Sequence, residues 1–438
     1  MSSRLVPLDG ERSPSSSHLN RRSSVPGLSP ARVRLALLAL ALGGFGIGAT
    51  EFVAMGVLPE IGAELLPELT RSAPEEAIAR AGIMISAYAL GVVVGAPTIA
   101  ALSAKLPRRG LLLGLAIAFT IGTVLSAVAP TFETVVAARF IAGLPHGAYF
   151  GVASLVAGEL MGPGKRGRGV AFVLSGLTIA NVIGVPSITF LGQQYGWRVA
   201  YLVVAGIFAL TALAIGLLVP AHPGDPTATL RRELGVFGRG QIWLTLAAGA
   251  IGFAGFFAVY SYVAKLTTEV AGLGTGIVPF ALATLGIGMT AGNVVGGRLA
   301  DRGAMRAVLI LLPTMAVACA AVALLSVWPV GMFIGLFLVG AVCGGVGPAV
   351  QTRLMDVAGE AQTLAAALNH SALNIGNSMG AAVGGATIAA GLGYTSPAWV
   401  GAIVAAAGMI FAVVSFLLER ARPESMSPTQ NLDLTSAS

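Results

Sequence analysis

Charge is scarce in this chain, and cysteine and histidine are scarcer still. Of its 438 residues only 10% are Asp, Glu, Lys or Arg, while 55% are hydrophobic and the mean hydropathy is +0.85. A soluble protein carries about a quarter charged residues, so a water-soluble fold is excluded. The two cysteines, Cys319 and Cys343, both fall inside apolar stretches, so no disulfide framework organises the chain. Runs of short alternating strands are missing, which argues against a β-barrel. There is no cluster of metal-ligating residues and no nucleophile–base arrangement, so no catalytic residue, bound metal or cofactor is expected. Gly162-Pro-Gly-Lys165-Arg166 lacks the leading glycine of a phosphate loop and the Ser or Thr after its lysine. ATP is therefore not the expected energy source.

What the sequence does contain is apolar segments long enough to cross a bilayer, recurring from end to end. Twelve spans are expected: 34–58, 80–103, 109–129, 134–158, 169–193, 198–220, 241–264, 275–299, 304–326, 329–352, 362–391 and 396–418. The eleventh is expected to be broken or overlong, because Gly376, Gly380, Gly384 and Gly385 crowd its second half. The net charge of +7 is not a nucleic-acid surface. Its basic residues sit in alternate loops: Lys105, Arg108 and Arg109, then Lys165, Arg166 and Arg168, then Arg231, Arg232 and Arg239, then Arg302 and Arg306. The opposite loops hold Glu60, Glu64, Glu68, Glu75, Glu76 and Glu133. The positive-inside rule then makes both termini cytoplasmic, in the cell or inner membrane. Residues 1–31 and 421–438 read as disordered tails, the first being rich in Ser, Arg and Pro rather than a signal peptide.

The polar stretch 221–240 divides the chain into bundles of six spans, 32–220 and 241–420. Sliding one half over the other by 197 positions aligns Gly91 with Gly288, Gly95 with Gly292, Gly143 with Gly340 and Gly147 with Gly344. Lys105 meets Arg302, and Arg109 meets Arg306. An offset one shorter matches Asn181-Val-Ile-Gly184 with Asn377-Ser-Met-Gly380. This co-linear set implies internal duplication. The expected fold is all-α and polytopic, with twelve transmembrane helices in two pseudo-symmetric six-helix bundles.

Within that scaffold Glu51 is the residue hardest to explain as packing. It lies in Gly46-Ile-Gly-Ala-Thr-Glu51-Phe-Val-Ala-Met-Gly56, surrounded by small and apolar neighbours. A carboxylate in hydrocarbon costs several kcal/mol, and such groups mark ion or substrate paths. Arg139 of the fourth span falls at a similar depth below the outer surface, on the order of 8–10 Å at ~1.5 Å per residue. A Glu51–Arg139 approach is therefore allowed, and a proton arriving at Glu51 would release the arginine. A purely structural ion pair is the alternative. The repeat partner of Arg139 is Leu336, so the second half lost this charge. His146 and His370 lie near mid-membrane, where a histidine can titrate or simply join two helices. Asn181, Asn374 and Asn377 lie at mid-depth and either hydrogen-bond between helices or line a central cavity.

The residues Gly297-Arg-Leu-Ala-Asp301-Arg302 after the eighth span resemble the loop signature of the major facilitator superfamily. A degenerate copy follows the second span, with Ala104 and Pro107 at the places of its acid and glycine. Arg139-Phe-Ile-Ala-Gly143 is similar to the superfamily's span-four motif, and Gly176 to Asn181 with Gly184 and Pro186 is similar to its antiporter motif. Gly48-Ala-Thr-Glu51-Phe-Val, Leu106-Pro-Arg-Arg109, Gly143-Leu-Pro-His146-Gly and Gly196-Trp-Arg198 further resemble the twelve-span drug:proton antiporters. Within that family the group of arabinose-efflux-permease-like and chloramphenicol exporters is nearest, and the likeness runs from about residue 32 to 420. The resemblance implies a proton-coupled exporter of small amphipathic drugs or metabolites, working by alternating access as a monomer in the lipid bilayer. Sugar efflux is the alternative within this fold; a channel or a membrane enzyme fits less well. The resemblance also implies a cytoplasmic gate built from Lys105, Arg108, Arg109, Gly297, Asp301 and Arg302, resting chiefly on Asp301 because its counterpart is Ala104. Glu51 and Arg139 are the expected proton-coupling residues, and His146, Asn181, His370, Asn374 and Asn377 the expected cavity residues.

Overall fold

A computed structural model describes residues 28–221, 224 and 229–421. The expected tails, apart from their residues nearest the bundle, and part of the expected 221–240 linker lie outside the described residues. The rest is helical. We number the twelve long helices α1 Pro30–Gly56, α2 Ile83–Ser103, α3 Arg108–Val128, α4 Phe132–Met161, α5 Arg166–Tyr195 and α6 Trp197–Leu218. The second set is α7 Gly240–Tyr260, α8 Val278–Arg302, α9 Ala304–Leu325, α10 Pro329–Val357, α11 Gln362–Ala389 and α12 Ser396–Arg420. Helix α1 starts inside the expected tail, because Ser29 caps it by accepting from the Arg32 amide and Pro30 suits the first turn.

Eleven of these helices are long and apolar enough to cross a membrane, which makes this a multi-pass membrane protein. The exception is α11. At 28 residues it is long enough, but Asn369, His370, Ser371, Asn374, Asn377 and Ser378 dilute its apolar character. It is a single unbroken helix, so of the two expectations, broken or overlong, it meets the second. Its glycines are contact points: a side chain at Gly376 or Gly380 would run into the carbonyls of Ala250 or Ala254 on α7.

Two other helices deviate from regularity where the sequence demands it. In α4 the α-helix stops at Gly143 and restarts at His146, across Leu144-Pro145. Pro145 has no amide hydrogen to continue the ladder. In α5 a π-helical turn covers Ala180–Gly184, just before Pro186. Three short helices, Leu58–Leu65, Pro67–Ser72 and Pro74–Ala81, fill the loop after α1, where no helices were expected.

Buried apolar residues form two large clusters. One draws on α1 and α3 to α6 with only Met355 and Ala366 from the other half; the second draws on the chain from Val236 onward with only Ala96, Ala100 and Ala101 from the first half. The duplication is written into the packing. A side chain at Gly91 would strike the Phe140 carbonyl, and one at Gly288 the Phe337 carbonyl; Gly95 abuts Leu144 and Gly292 abuts Ala341. Each partner is displaced by the same 197 positions as the glycines themselves. The halves meet along α5 against α8 and along α11 against α2 and α4. Near the pseudo-two-fold axis, Gln351 Nε2 donates to Ser154 Oγ at 2.7 Å, and these two residues are again 197 apart.

Candidate functional site

Between the halves lies a cavity of about 90 Å³. One wall is aromatic. Phe253, Phe256, Phe257 and Tyr260 of α7 recur every three or four residues and so share a face, and Phe52 of α1 meets Tyr260 edge-on at 6.2 Å between centroids. The opposite walls carry Thr178, Asn181, Asn293, His146, His370, Asn374 and Asn377. Asn181 reaches the cavity from the π-helical turn of α5. Among the described residues, Glu51 is the one acidic residue on the wall, and no lysine or arginine lines it.

Glu51 is half-buried, and among the described residues its carboxylate has no hydrogen-bond or ion-pair partner. The allowed pairing with Arg139 is not formed. Arg139 is fully buried behind the wall, where its guanidinium donates to the hydroxyl and to the carbonyl oxygen of Thr50, both at 2.9 Å. Its charge also lies over the ring of Tyr88 at 4.3 Å and of Tyr201 at 5.4 Å. The reason is helical geometry. Thr50 and Glu51 are consecutive on α1, so they point about 100° apart. Thr50 takes the arginine, and Glu51 is left to the cavity.

His146 and His370 do meet, across the boundary between the halves. His146 Nε2 and His370 Nδ1 are 3.3 Å apart, and the hydroxyl of Tyr88 is 3.0 Å from His146 Nδ1. Phe150 stacks on His370 with centroids 4.3 Å apart and the rings 8° from parallel. Asn374 donates to the His370 carbonyl at 3.0 Å.

At the basic-loop end of the bundle, Asp301 at the end of α8 crosses to the other half. Its carboxylate accepts from the backbone amides of Gly167 and Arg168, at 2.6 and 3.3 Å, and from Arg168 Nε at 2.5 Å. Those amides open α5, whose own N-cap Lys165 supplies no side-chain acceptor. Asp301 therefore caps α5 from the opposite bundle, with the helix dipole favouring its charge. Gly297 permits the approach, since a side chain there would collide with Ala171. Nearby, Arg166 donates to Gln362 Oε1 at 2.5 Å and faces Asp356 at 3.6 Å.

The arginines after α2 make their contacts within the first half. Arg108 pairs with Glu159 of α4, and Arg109 donates to the Gly216 carbonyl of α6. Both bind within the first half and do not cross to the second. No hydrogen bond or ion pair of the Lys105 or Arg302 side chain is found among the described residues.

Several residues here were not singled out from sequence. Asn293 is buried on α8 and donates to the Ala171 carbonyl of α5 at 2.5 Å. Its signal was the one that exposed Glu51, a polar residue alone in an apolar span. The aromatic face of α7 was legible in its spacing. Tyr88 and Thr50 gave no signal, since each is ordinary in a membrane helix.

The comparisons with known proteins agree with this architecture. A family model described as Major Facilitator Superfamily matches residues 40–369. The chain is 37% identical over 398 residues to the inner membrane transport protein YdhP of Escherichia coli K12, covering 90% of this chain and 98% of that protein. It is 33% identical over 382 residues to a chloramphenicol resistance protein of Streptomyces lividans, covering 86% and 95%. Among solved structures, the proton:xylose symporter XylE superimposes with a TM-score of 0.71 at 16% identity, over 88% of this chain and 96% of that one.

Proposed function

The chain belongs to the major facilitator superfamily and is a membrane transporter rather than an enzyme, and from this premise we propose that it exports small amphipathic solutes in exchange for protons. The observation that carries the reading is Glu51: a single unpartnered carboxylate on the wall of a cavity between two bundles. Such a group can take a proton from one side of the membrane and surrender it on the other as the halves rock about the site. Arg139 is bonded to Thr50, the residue before Glu51, and acts on the carboxylate through the field rather than through a direct bond. The aromatic wall favours a flat apolar body, and the asparagines favour a few polar groups on the same solute. The inner gate in this reading is Asp301 on the start of α5, with the basic loops and both termini on the cytoplasmic side. The resistance phenotype in the name of the Streptomyces relative makes chloramphenicol the first solute to test.

Sugar efflux is the second reading, favoured by the density of amide side chains at Asn181, Asn293, Asn374 and Asn377. Proteoliposomes with an imposed pH gradient decide between them. We expect chloramphenicol to accumulate against its gradient in vesicles oriented for export, L-arabinose not to, and Glu51→Gln to abolish the accumulation because Gln keeps the shape but cannot release a proton. Undiminished uphill transport by that variant removes Glu51 from the coupling, and uphill transport of arabinose alone replaces drug export with sugar efflux.

A further inference from the structure

The hydrogen bonds around the two histidines are directional, and counting donors fixes the direction. Tyr88 has one O–H, and His146 Nδ1 at 3.0 Å is the partner given to it. His370 Nε2 is left without a partner whichever way the protons run, but were the phenol to accept from His146 its own O–H would be left as well, and an unmade buried hydrogen bond costs on the order of 1–3 kcal/mol. Tyr88 therefore donates, and His146 Nδ1 accepts. Neutral His146 then carries its proton on Nε2 and donates it to His370 Nδ1, 3.3 Å away. Neutral His370 in turn carries its proton on Nε2. Among the described residues that atom is buried without a partner, although His370 lies on the cavity wall.

Each member is held in place from outside the chain of bonds. Tyr88 lies beneath the Arg139 guanidinium, and His370 is stacked flat on Phe150. His146 stands at the restart of α4 after Pro145, so its orientation is set by the break.

We infer that Tyr88 sets the tautomers of both histidines so that His370 presents an Nε2–H donor to the transported solute. The matching solute carries an acceptor oxygen — carbonyl, nitro or hydroxyl — beside the flat apolar body that packs on α7. Tyr88 is a positioning residue and His370 the contact. The inference deepens the export reading and rests on it for the choice of probe.

Two measurements on the purified full-length protein test it. Nitrogen-15 NMR of histidine-labelled protein should show both rings neutral with the proton on Nε2, and Tyr88→Phe should turn His146 into a mixture of tautomers. Equilibrium binding of radiolabelled chloramphenicol should weaken roughly tenfold in His370→Leu, a loss typical of one hydrogen bond. In His370→Gln it should stay within about threefold of wild type, because the amide restores an N–H. Tyr88→Phe should fall between them, and matched elution volumes on size exclusion exclude misfolding. A proton on Nδ1 of His370, or wild-type affinity in His370→Leu, overturns the donor role while leaving export intact. Wild-type protein that binds neither chloramphenicol nor L-arabinose overturns the donor role and the export reading together.

Discussion

Arg139 shows how a full charge is kept inside a membrane bundle without a carboxylate touching it. Two hydrogen bonds to Thr50 and two aromatic faces surround the guanidinium, leaving its Nε without a partner. The planar fork matters here, since a lysine ammonium offers one point charge and cannot reach hydroxyl and carbonyl in the same geometry. Thr50→Val keeps the volume and deletes the hydroxyl acceptor. Hydrogen bonds to charged groups contribute about 1.5–3 kcal/mol, so the variant should lose about 2 kcal/mol, seen as a lower midpoint of thermal unfolding in detergent. An unchanged midpoint would mean that the carbonyl and the two rings suffice. This arrangement also marks the limit of sequence reasoning at the site. Glu51 stood out because a carboxylate among glycines and alanines has no packing role. The partner of Arg139 did not stand out, because depth along a helix can be estimated from sequence but the face cannot be resolved to one residue. Tyr88 and the meeting of His146 with His370 depend on side-chain directions across three helices, which no local pattern encodes.

At the scale of elements, small residues decide which helices touch. The same crossing is built twice, α2 on α4 and α8 on α10, with backbone nearly against backbone. Gly292→Ala puts a methyl into the main chain at Ala341 and should force α8 from α10, costing about 2–3 kcal/mol as an overpacked contact. Gly206 of α6 is the control: it is exposed, and a methyl there meets nothing. Gly206→Ala should leave stability equal or raise it by up to about 1 kcal/mol, the helix propensity difference. Thermal midpoints of the two variants in the same detergent check both signs. The spans were legible in the sequence because apolar runs of bilayer length have few other uses, and the repeat was legible because the glycines kept their spacing. Two features were not resolved in the sequence. The glycines of α11 left a break and an overlong helix both open, and they let an unbroken, long helix sit close on α7. The three short helices after α1 were missed, being too short for a period to stand out from a polar loop.

For the whole molecule, the question is what holds the two bundles together at the basic-loop end. Among the described residues two crossings do so there, Asp301 on the start of α5 and Arg166 on Gln362 and Asp356, while Arg232 ties the linker to Glu360 at 3.1 Å. They differ in weight. Glu360 and Asp356 are exposed or half-exposed, so solvent screens those pairs to a fraction of a kcal/mol. The Asp301 side chain is only 7% exposed and accepts two amides as well as a guanidinium, in the charge-assisted geometry that makes hydrogen bonds strong. If the transporter alternates between two arrangements, the closed end should therefore rest chiefly on Asp301. Asp301→Asn removes the charge at nearly constant size and should weaken the closed arrangement by about 1–2 kcal/mol, a five- to thirtyfold shift in the ratio of conformers. Arg108→Gln is the internal contrast, because the Arg108–Glu159 pair lies within one bundle and breaking it should leave that ratio alone. The ratio can be read from the accessibility of single cysteines placed at the basic-loop end and at the opposite end, labelled by a membrane-impermeant reagent. More labelling at the basic-loop end in Asp301→Asn, with none gained in Arg108→Gln, is the expected pattern. Equal labelling in both variants would mean that the closure is carried by the buried contact of Gln351 with Ser154 and by the apolar packing of α5 on α8, with Asp301 serving only to cap a helix.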